Sequence, residues 1–234
     1  MADQRDTGWR FATVTEVERL GPHGVGVRLQ VPDRVAHLPG QHYVVRLTAD
    51  DGYVAQRSYS IASAPDEPTV QLGVDVLPEG EVSGFLSEVV APGDELEVRG
   101  PIGGWFVWDG STRALGIGGG SGVVPFVSMT RFAASRGGET ADRLRVVAAA
   151  RTPEDLLFAD ELEAAGTVFA FSRTDRPGRP AARLQPDDIA PLLVEDQEVY
   201  VCGSAVFAEA VSTMLLGLGV PARRVRVERF GPTG

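Results

Sequence analysis

Five glycines fall within seven positions, 116 to 122, in the stretch Leu115-Gly116-Ile117-Gly118-Gly119-Gly120-Ser121-Gly122-Val123-Val124-Pro125. Glycine tolerates positive φ and places no side chain between backbone and ligand, so a loop of this kind can close around a phosphate at a helix start. The 22 basic residues of the chain are all arginine. Without lysine the loop is not a Walker A motif, and Schiff-base catalysis through lysine is excluded. The Gly-x-Gly-x-x-Gly fingerprint also fails narrowly: counted from Gly116 its last position is Ser121, and from Gly118 it is Val123. A nucleotide loop of another pattern and a structural turn both stay open at this point.

Three further stretches could do chemistry. Gln56-Arg57-Ser58-Tyr59-Ser60-Ile61 sets a cation, an aromatic ring and hydroxyls close together, and by itself it also reads as a plain strand with one exposed face. Gly80-Glu81-Val82-Ser83-Gly84 opens a helical pattern, either as a turn with an N-cap or as a backbone cradle for a diphosphate. Positive charge gathers at Arg151, Arg173, Arg176, Arg179 and Arg183, with Ser172 among them, in an otherwise acidic chain. No acid stands at the end of the second strand of this half, where a ribose-binding carboxylate serves NAD; Arg151 is there instead, an exchange that suits the 2′-phosphate of NADP. A solvated basic loop explains any one of these arginines as well. Three histidines (His23, His37, His42) and Cys202 cannot build a His/Cys zinc cage, and no metal site is expected.

The elements that must position these residues fall into two kinds. From residue 11 to about 98 apolar residues alternate, as in Val25, Val27, Leu29 and Val31 or Val70, Leu72, Val74 and Val76, with turn signals such as Asp50-Asp51-Gly52 between the runs. About six short antiparallel strands closing into a small barrel are expected over residues 8–108, with one helix starting at Ser83 as N-cap. After Asp109-Gly110 the period changes. Strands near 113–117, 144–149, 167–171, 199–202 and 225–227 alternate with helices near 123–134, 153–165, 186–193 and 206–218. This predicts an α/β domain over residues 109–234 with a five-stranded parallel sheet. Ligands bind such sheets at the carboxyl ends of the strands, where both the glycine loop and Cys202-Gly203-Ser204 fall.

Composition narrows the partners. A net charge of −10 argues against nucleic acid. No apolar run approaches the roughly 20 residues that span a bilayer, and the polar start Met1-Ala2-Asp3-Gln4 favours a cytoplasmic location. A single cysteine excludes an intrachain disulfide and a Cys-ligated iron–sulfur cluster within this chain. A monomer is expected.

Taken in order, these motifs resemble those of the ferredoxin–NADP reductase superfamily over about residues 8 to 230. Arg57-Ser58-Tyr59-Ser60 is similar to its Arg-x-Tyr-Ser/Thr flavin motif, and the segment from Gly80 to Ser83 to its flavin diphosphate loop. Arg99-Gly100-Pro101-Ile102-Gly103 resembles its barrel-closing segment. Gly119-Gly120-Ser121-Gly122-Val123-Val124-Pro125 resembles its pyridine-nucleotide loop, Cys202-Gly203 its Cys-Gly-Pro motif with Ser204 in place of Pro, and Glu228-Arg229-Phe230-Gly231 its tail. The resemblance implies FAD held by Arg57, Ser58, Tyr59, Ser60, Gly80, Val82 and Ser83, with Ser60 near N5. It implies NADPH, with NADH as the other option, held by Gly119, Gly120, Ser121, Gly122 and Gly203. Arg173 and Arg183, joined by Arg151 and Ser172, would take the 2′-phosphate. Ser60, Cys202 and Glu228 would stand at the reacting atoms, with Phe230 near the flavin. The implied activity is a reductase that passes single electrons to a separate redox protein: a ferredoxin, a flavodoxin, a haem protein or a metal oxidoreductase. A flavin reductase using diffusible flavin, and a non-catalytic electron-transfer subunit, are the alternatives.

Overall fold

The computed structural model describes residues 8–230; the polar start and Gly231 of the tail motif lie outside the described residues. In the first half, alternating apolar side chains turn to one side of each strand and bury there. β1 (Arg10–Arg19), β2 (Gly24–Gln30), β3 (His42–Thr48), β4 (Val54–Ser60), β5 (Val70–Asp75) and β6 (Glu95–Ile102) form one antiparallel sheet in the order β4-β3-β6-β1-β2-β5. An isolated bridge between Ile61 and Leu72 brings the end of β4 beside β5, and the sheet curls into a barrel. Val25, Val27, Leu29, Val45, Leu72 and Val74 fill it. A Cβ at Gly100 would come within 2.6 Å of the Tyr43 ring, so glycine is what lets the closing segment pack on that buried aromatic.

Helix α1 (Glu81–Glu88) lies between β5 and β6, and its start corrects the sequence expectation. Gly80, not Ser83, is the N-cap. Ser83 is already inside the first turn, where its hydroxyl donates to the Gly80 carbonyl and accepts from the Leu77 N–H, both at 3.3 Å. Its oxygen therefore closes the preceding loop onto the helix instead of capping it.

The second half is a parallel sheet of β7 (Ala114–Gly119), β8 (Leu144–Ala150), β9 (Val168–Phe171), β10 (Glu198–Ser204) and β11 (Val225–Phe230), ordered β11-β10-β7-β8-β9. Helices α2 (Val124–Arg136), α3 (Gly138–Asp142), α4 (Ala159–Ala164), α5 (Pro186–Ile189) and α6 (Ala205–Gly217) complete it. Residues of α2 and α4 bury with one face of the sheet, and residues of α5 and α6 with the other. The strand order reverses between β7 and β10, the switch point where a crevice opens in such sheets.

Two predicted helices are shorter than expected. Over 153–165, Thr152 and Asp155 form a reciprocal capping box around a single turn, Pro153–Asp155. The chain then extends at Leu156, turns through a left-handed Phe158 (φ 57°) and becomes helical only at Ala159. Leu156, Leu157 and Phe158 are buried in the cluster that includes α2, with Leu157 against Gly24 of β2 and Phe158 against Gly73 of β5, and that packing overrides their helical propensity. The stretch 186–193 divides into α5 and a tighter turn, Ala190–Leu192.

Helix α2 fastens the two halves together. The Ser128 hydroxyl donates to the Ser63 carbonyl at 2.7 Å. Arg131 donates to Gln71 at 2.6 Å and to both carboxylate oxygens of Glu161 at 2.7 Å, with Glu67 at 3.6 Å. A Cβ at Gly73 of β5 would meet the Val124 side chain at 2.6 Å, so barrel and helix touch almost backbone to side chain. Among the described residues no helix is long and apolar enough to cross a membrane.

Candidate functional site

At the switch point the β3–β4 hairpin stands on one side and the carboxyl ends of β7, β10 and β11 on the other, in contact through His42 and Glu228. Pairing in the hairpin runs in unbroken register from Thr48 with Val54 to His42 with Ser60. That places the buried Ser60 directly across from His42. On the other wall, Cys202 pairs with Gly118 of β7 on one side and Glu228 of β11 on the other. His42 Nδ1 lies 3.8 Å from Glu228 Oε1 and thereby joins the two walls. The structure thus gathers Ser60 and His42 from the barrel with Cys202 and Glu228 from the parallel sheet, although the sequence separates them by up to 186 positions.

Electrostatics sets this cluster apart. Burial pushes the Glu228 carboxyl up to about 7, and its Oε2 is buried without a hydrogen-bond partner. Burial also holds the His42 imidazole below its usual value. Burial, reinforced by the Glu228 charge, pushes the Cys202 thiol well above the ordinary range. Cys202 is therefore a neutral thiol in a dry site, suited to lining a pocket and unsuited to acting as a thiolate nucleophile. A half-protonated carboxyl beside a neutral imidazole can hold or pass one proton near neutral pH.

The glycine loop opens onto the same crevice. Gly119 ends β7, the tight turn Gly120–Val123 follows, and α2 then begins with Pro125 in its first turn. Most of these glycines serve close packing. A Cβ would overlap the Cys202 carbonyl from Gly122, the Phe207 ring (2.7 Å) from Gly119 and Val123 (2.9 Å) from Gly118. Gly120 has open space and φ +57°. Gly203 leaves room for the same Phe207 ring, also at 2.7 Å. The Ser121 hydroxyl donates to the Asp75 carboxylate at the end of β5, whose pKa burial raises against the pull of Ser121, His23 and Arg151. Phe230 pairs with Ser204 and packs against the core beneath α2.

On the barrel, Arg57 and Tyr59 share one face of β4, and Ser58 and Ser60 share the other. The Arg57 guanidinium donates to the Gln56 carbonyl at 2.7 Å. Burial raises the Tyr59 phenol far above its ordinary value while Arg57 opposes the shift, so ring and cation are neighbours. At the start of α1, Val82 and Ser83 are buried, and first-turn N–H groups have no intrahelical acceptor. A Cβ at position 80 would overlap the Ser83 hydroxyl, so a larger residue there would have to displace it. Arg57 and the N–H groups of this tight turn are donors suited to a diphosphate, as FAD requires.

The arginines divide into two groups. Arg179 is consumed internally: it pairs with Asp188 at 2.7 Å and donates to the carbonyls of Ala182 and Arg183. Arg176 pairs with Glu163 and stacks over Phe169. Arg173 and Arg183 project into solvent. The Arg173 N–H donates to the Arg151 carbonyl and the Ser172 N–H to that of Ala150, so Arg151, Ser172 and Arg173 stand side by side at the ends of β8 and β9. Arg151 is itself within 3.6 Å of Asp155, which weakens its pull on a phosphate. His42, Asp75 and Glu81 are candidate site residues, by their contacts with Glu228, Ser121 and Tyr53, that the motifs do not contain. The signal for His42 was available, since counting equally back from the Asp50-Asp51-Gly52 turn sets it opposite Ser60.

Comparison with known proteins agrees with the two kinds of domain. Residues 12–107 match the model of an oxidoreductase FAD-binding domain, and residues 117–213 that of an oxidoreductase NAD-binding domain. The chain is 33% identical over 213 residues to the glycine betaine monooxygenase reductase subunit of Chromohalobacter salexigens, covering 83% of this chain and 56% of that protein. It is 25% identical over 229 residues to the toluate 1,2-dioxygenase electron transfer component of Pseudomonas putida, covering 94% and 67%. The chain therefore spans little more than half the length of the first of these relatives. The flavohaem-like FAD/NAD-binding domain of nitric oxide dioxygenase from Vibrio cholerae shares the fold, with a TM-score of 0.82 at 23% identity over 95% of this chain and 99% of that one.

Proposed function

The chain belongs to the ferredoxin–NADP reductase family of oxidoreductases, an FAD-binding barrel followed by an NAD-binding domain, and from that membership we propose that it is an NAD(P)H-dependent reductase serving a separate redox protein. The observation that carries the reading is the meeting of Ser60 and His42 with Cys202 and Glu228 at the switch-point crevice, beside the glycine loop. Residues 8–108 form the flavin-binding unit in this reading and 109–234 the dinucleotide-binding unit. FAD, when bound, supplies the exchange between a two-electron donor and one-electron acceptors. The protein's part is to hold and orient.

Arg57 and the N–H groups of Val82 and Ser83 are the donors available to the diphosphate, and Tyr59 packs against the flavin. Ser60 presents a hydroxyl to the reacting edge. The turn at 119–122 receives the dinucleotide phosphates, with Gly203 leaving room beside it. Cys202 and Phe230 keep water from the nicotinamide pocket, and Glu228 holds a proton at its buried Oε2 near neutral pH. The relatives are named as reductase or electron transfer components of monooxygenases and dioxygenases, so the acceptor is inferred to be a ferredoxin, a flavodoxin, a haem protein or a metal oxygenase.

Arg173 and Arg183 support a preference for NADPH, since both are exposed, Arg173 beside Ser172 and Arg151 and Arg183 just after Ala182, whose N–H donates to the Phe171 carbonyl at the end of β9. The purified chain loaded with FAD should be yellow and bleach anaerobically with NADPH. A chain that takes up no flavin, or whose flavin NAD(P)H cannot bleach, overturns the assignment. The double substitution Arg173→Ala, Arg183→Ala should cost at least about tenfold in NADPH over NADH preference, the worth of one charged phosphate contact. An unchanged ratio would remove the 2′-phosphate site.

A further inference from the structure

We propose that Glu81 occupies part of the anion position at the start of α1, so that the barrel binds a flavin chiefly through its ring and ribityl chain and grips the diphosphate only weakly. This rests on the reading that the flavin lies along β4 and the start of α1.

Glu81 is the first residue of α1 and is solvent-exposed. A carboxylate there takes up the favourable field of the helix start that a bound diphosphate would otherwise use. It is also held in place. The Tyr53 hydroxyl, from the turn between β3 and β4, donates to both of its oxygens, at 3.0 and 3.3 Å. This bond is the main reason the Tyr53 phenol lies above its ordinary value, and nearby Arg57 opposes the shift. Tyr53 stands between the two: it donates to Glu81 and feels the Arg57 charge, so the carboxylate and the cation assigned to the diphosphate share one neighbourhood.

The surroundings reinforce that sign. A groove of about 600 Å³ runs along this side of α1, lined by Glu79, Glu81 and Glu88 together with Leu77 and Phe85, and among the described residues no arginine lines it. A diphosphate beside one carboxylate in a water-exposed setting loses on the order of tenfold in affinity. The protein bound to riboflavin, which has no phosphate, loses nothing by this. The chain is thereby placed toward exchangeable flavin, with recognition concentrated on the part of the molecule that Tyr59 and Ser60 face.

The test is a titration of the flavin-free protein with riboflavin, FMN and FAD, read by quenching of flavin fluorescence. In the wild type, FAD should bind no more than about tenfold tighter than riboflavin. Glu81→Gln should tighten FAD by about tenfold and change riboflavin by less than twofold, and the gain should shrink in about 0.5 M salt, where charges are screened within a few ångströms. Tyr53→Phe, which releases the carboxylate to swing away, should tighten FAD by a smaller factor. Glu195→Gln, exposed ahead of the amino end of β10 and so at the opposite end of that sheet from its carboxyl edge, should leave all three flavins as they were. If neither Glu81→Gln nor Tyr53→Phe changes FAD affinity, the proposal fails while the flavin reading stands. If no flavin is quenched by any variant, the flavin reading itself fails.

Discussion

The boundary between barrel and parallel sheet has a closed side and an open side, and each carries a histidine from the same short stretch. His37, on the closed side, is 1% exposed, and its Nε2–H donates to the Ser63 carbonyl that Ser128 of α2 also reaches. His42, on the open side, is half-buried and faces Glu228 across the crevice. Burial depresses both imidazoles, so the pKa shift alone does not tell them apart. The surroundings do. Near His37, hydroxyl, amide and guanidinium groups have found partners in the opposite domain, and its own unpaired Nδ1 is sealed from solvent. Near His42 the atom unpaired among the described residues is a carboxylate oxygen, itself buried, on a side chain that is 27% exposed overall. The closed side holds the domains in place so that the open side can stay incomplete.

That contrast can be broken from either side. Arg131→Ala removes the centre of the seam network and leaves Glu161, Glu67 and Gln71 without their shared cation. It should cost about 3 kcal/mol in urea unfolding, with flavin affinity nearly unchanged. A loss below about 1 kcal/mol would mean that the seam is not what joins the domains. Gly122→Ala acts on the open side, where the new methyl group must displace the Cys202 carbonyl. It should cost about 2 kcal/mol in stability and at least about tenfold in nicotinamide dinucleotide affinity. An alanine tolerated without loss of affinity would show that the turn can relax away from β10.

The smallest expected effect concerns pH. The Glu228 carboxyl titrates at about 7 in the folded chain, against an ordinary value of 4.5. Between those values the folded state keeps a proton that the unfolded state has released, so stability falls as pH rises through the window. Glutamine does not titrate. Relative to Glu228→Gln, the wild type should therefore lose about 1.5 kcal/mol between pH 5 and 8, after allowance for partial exposure. Parallel stability curves for the two proteins would show that Glu228 is ordinary.

Much of this architecture is written in local pattern. Period-two alternation found the barrel strands, and the change of period after Gly110 found the parallel sheet, because each strand buries one face or both in a fixed way. What escaped depended on distant partners. The break after Asp155 follows from the burial of Leu156, Leu157 and Phe158 beneath α2, which no window of residues 153–165 contains. The basic cluster could not be sorted before Glu163 and Asp188 were seen to take Arg176 and Arg179. Ser83 has the residue type of an N-cap, but Gly80 took that place because the loop from Leu77 closes onto the Ser83 hydroxyl. Ser60, Cys202 and Glu228 were named from motifs, whereas their meeting through His42 is visible only in the fold.

The central claim is that the crevice between Ser60 and Glu228 is where the nicotinamide meets the flavin. Anaerobic single-turnover mixing of the FAD-loaded chain with NADPH tests it directly, comparing the rate of flavin bleaching in the wild type and in Ser60→Ala. Loss of one positioned donor should slow bleaching about a hundredfold while both cofactors bind within about threefold of the wild type. Bleaching of Ser60→Ala at the wild-type rate would place the reacting atoms somewhere other than this crevice.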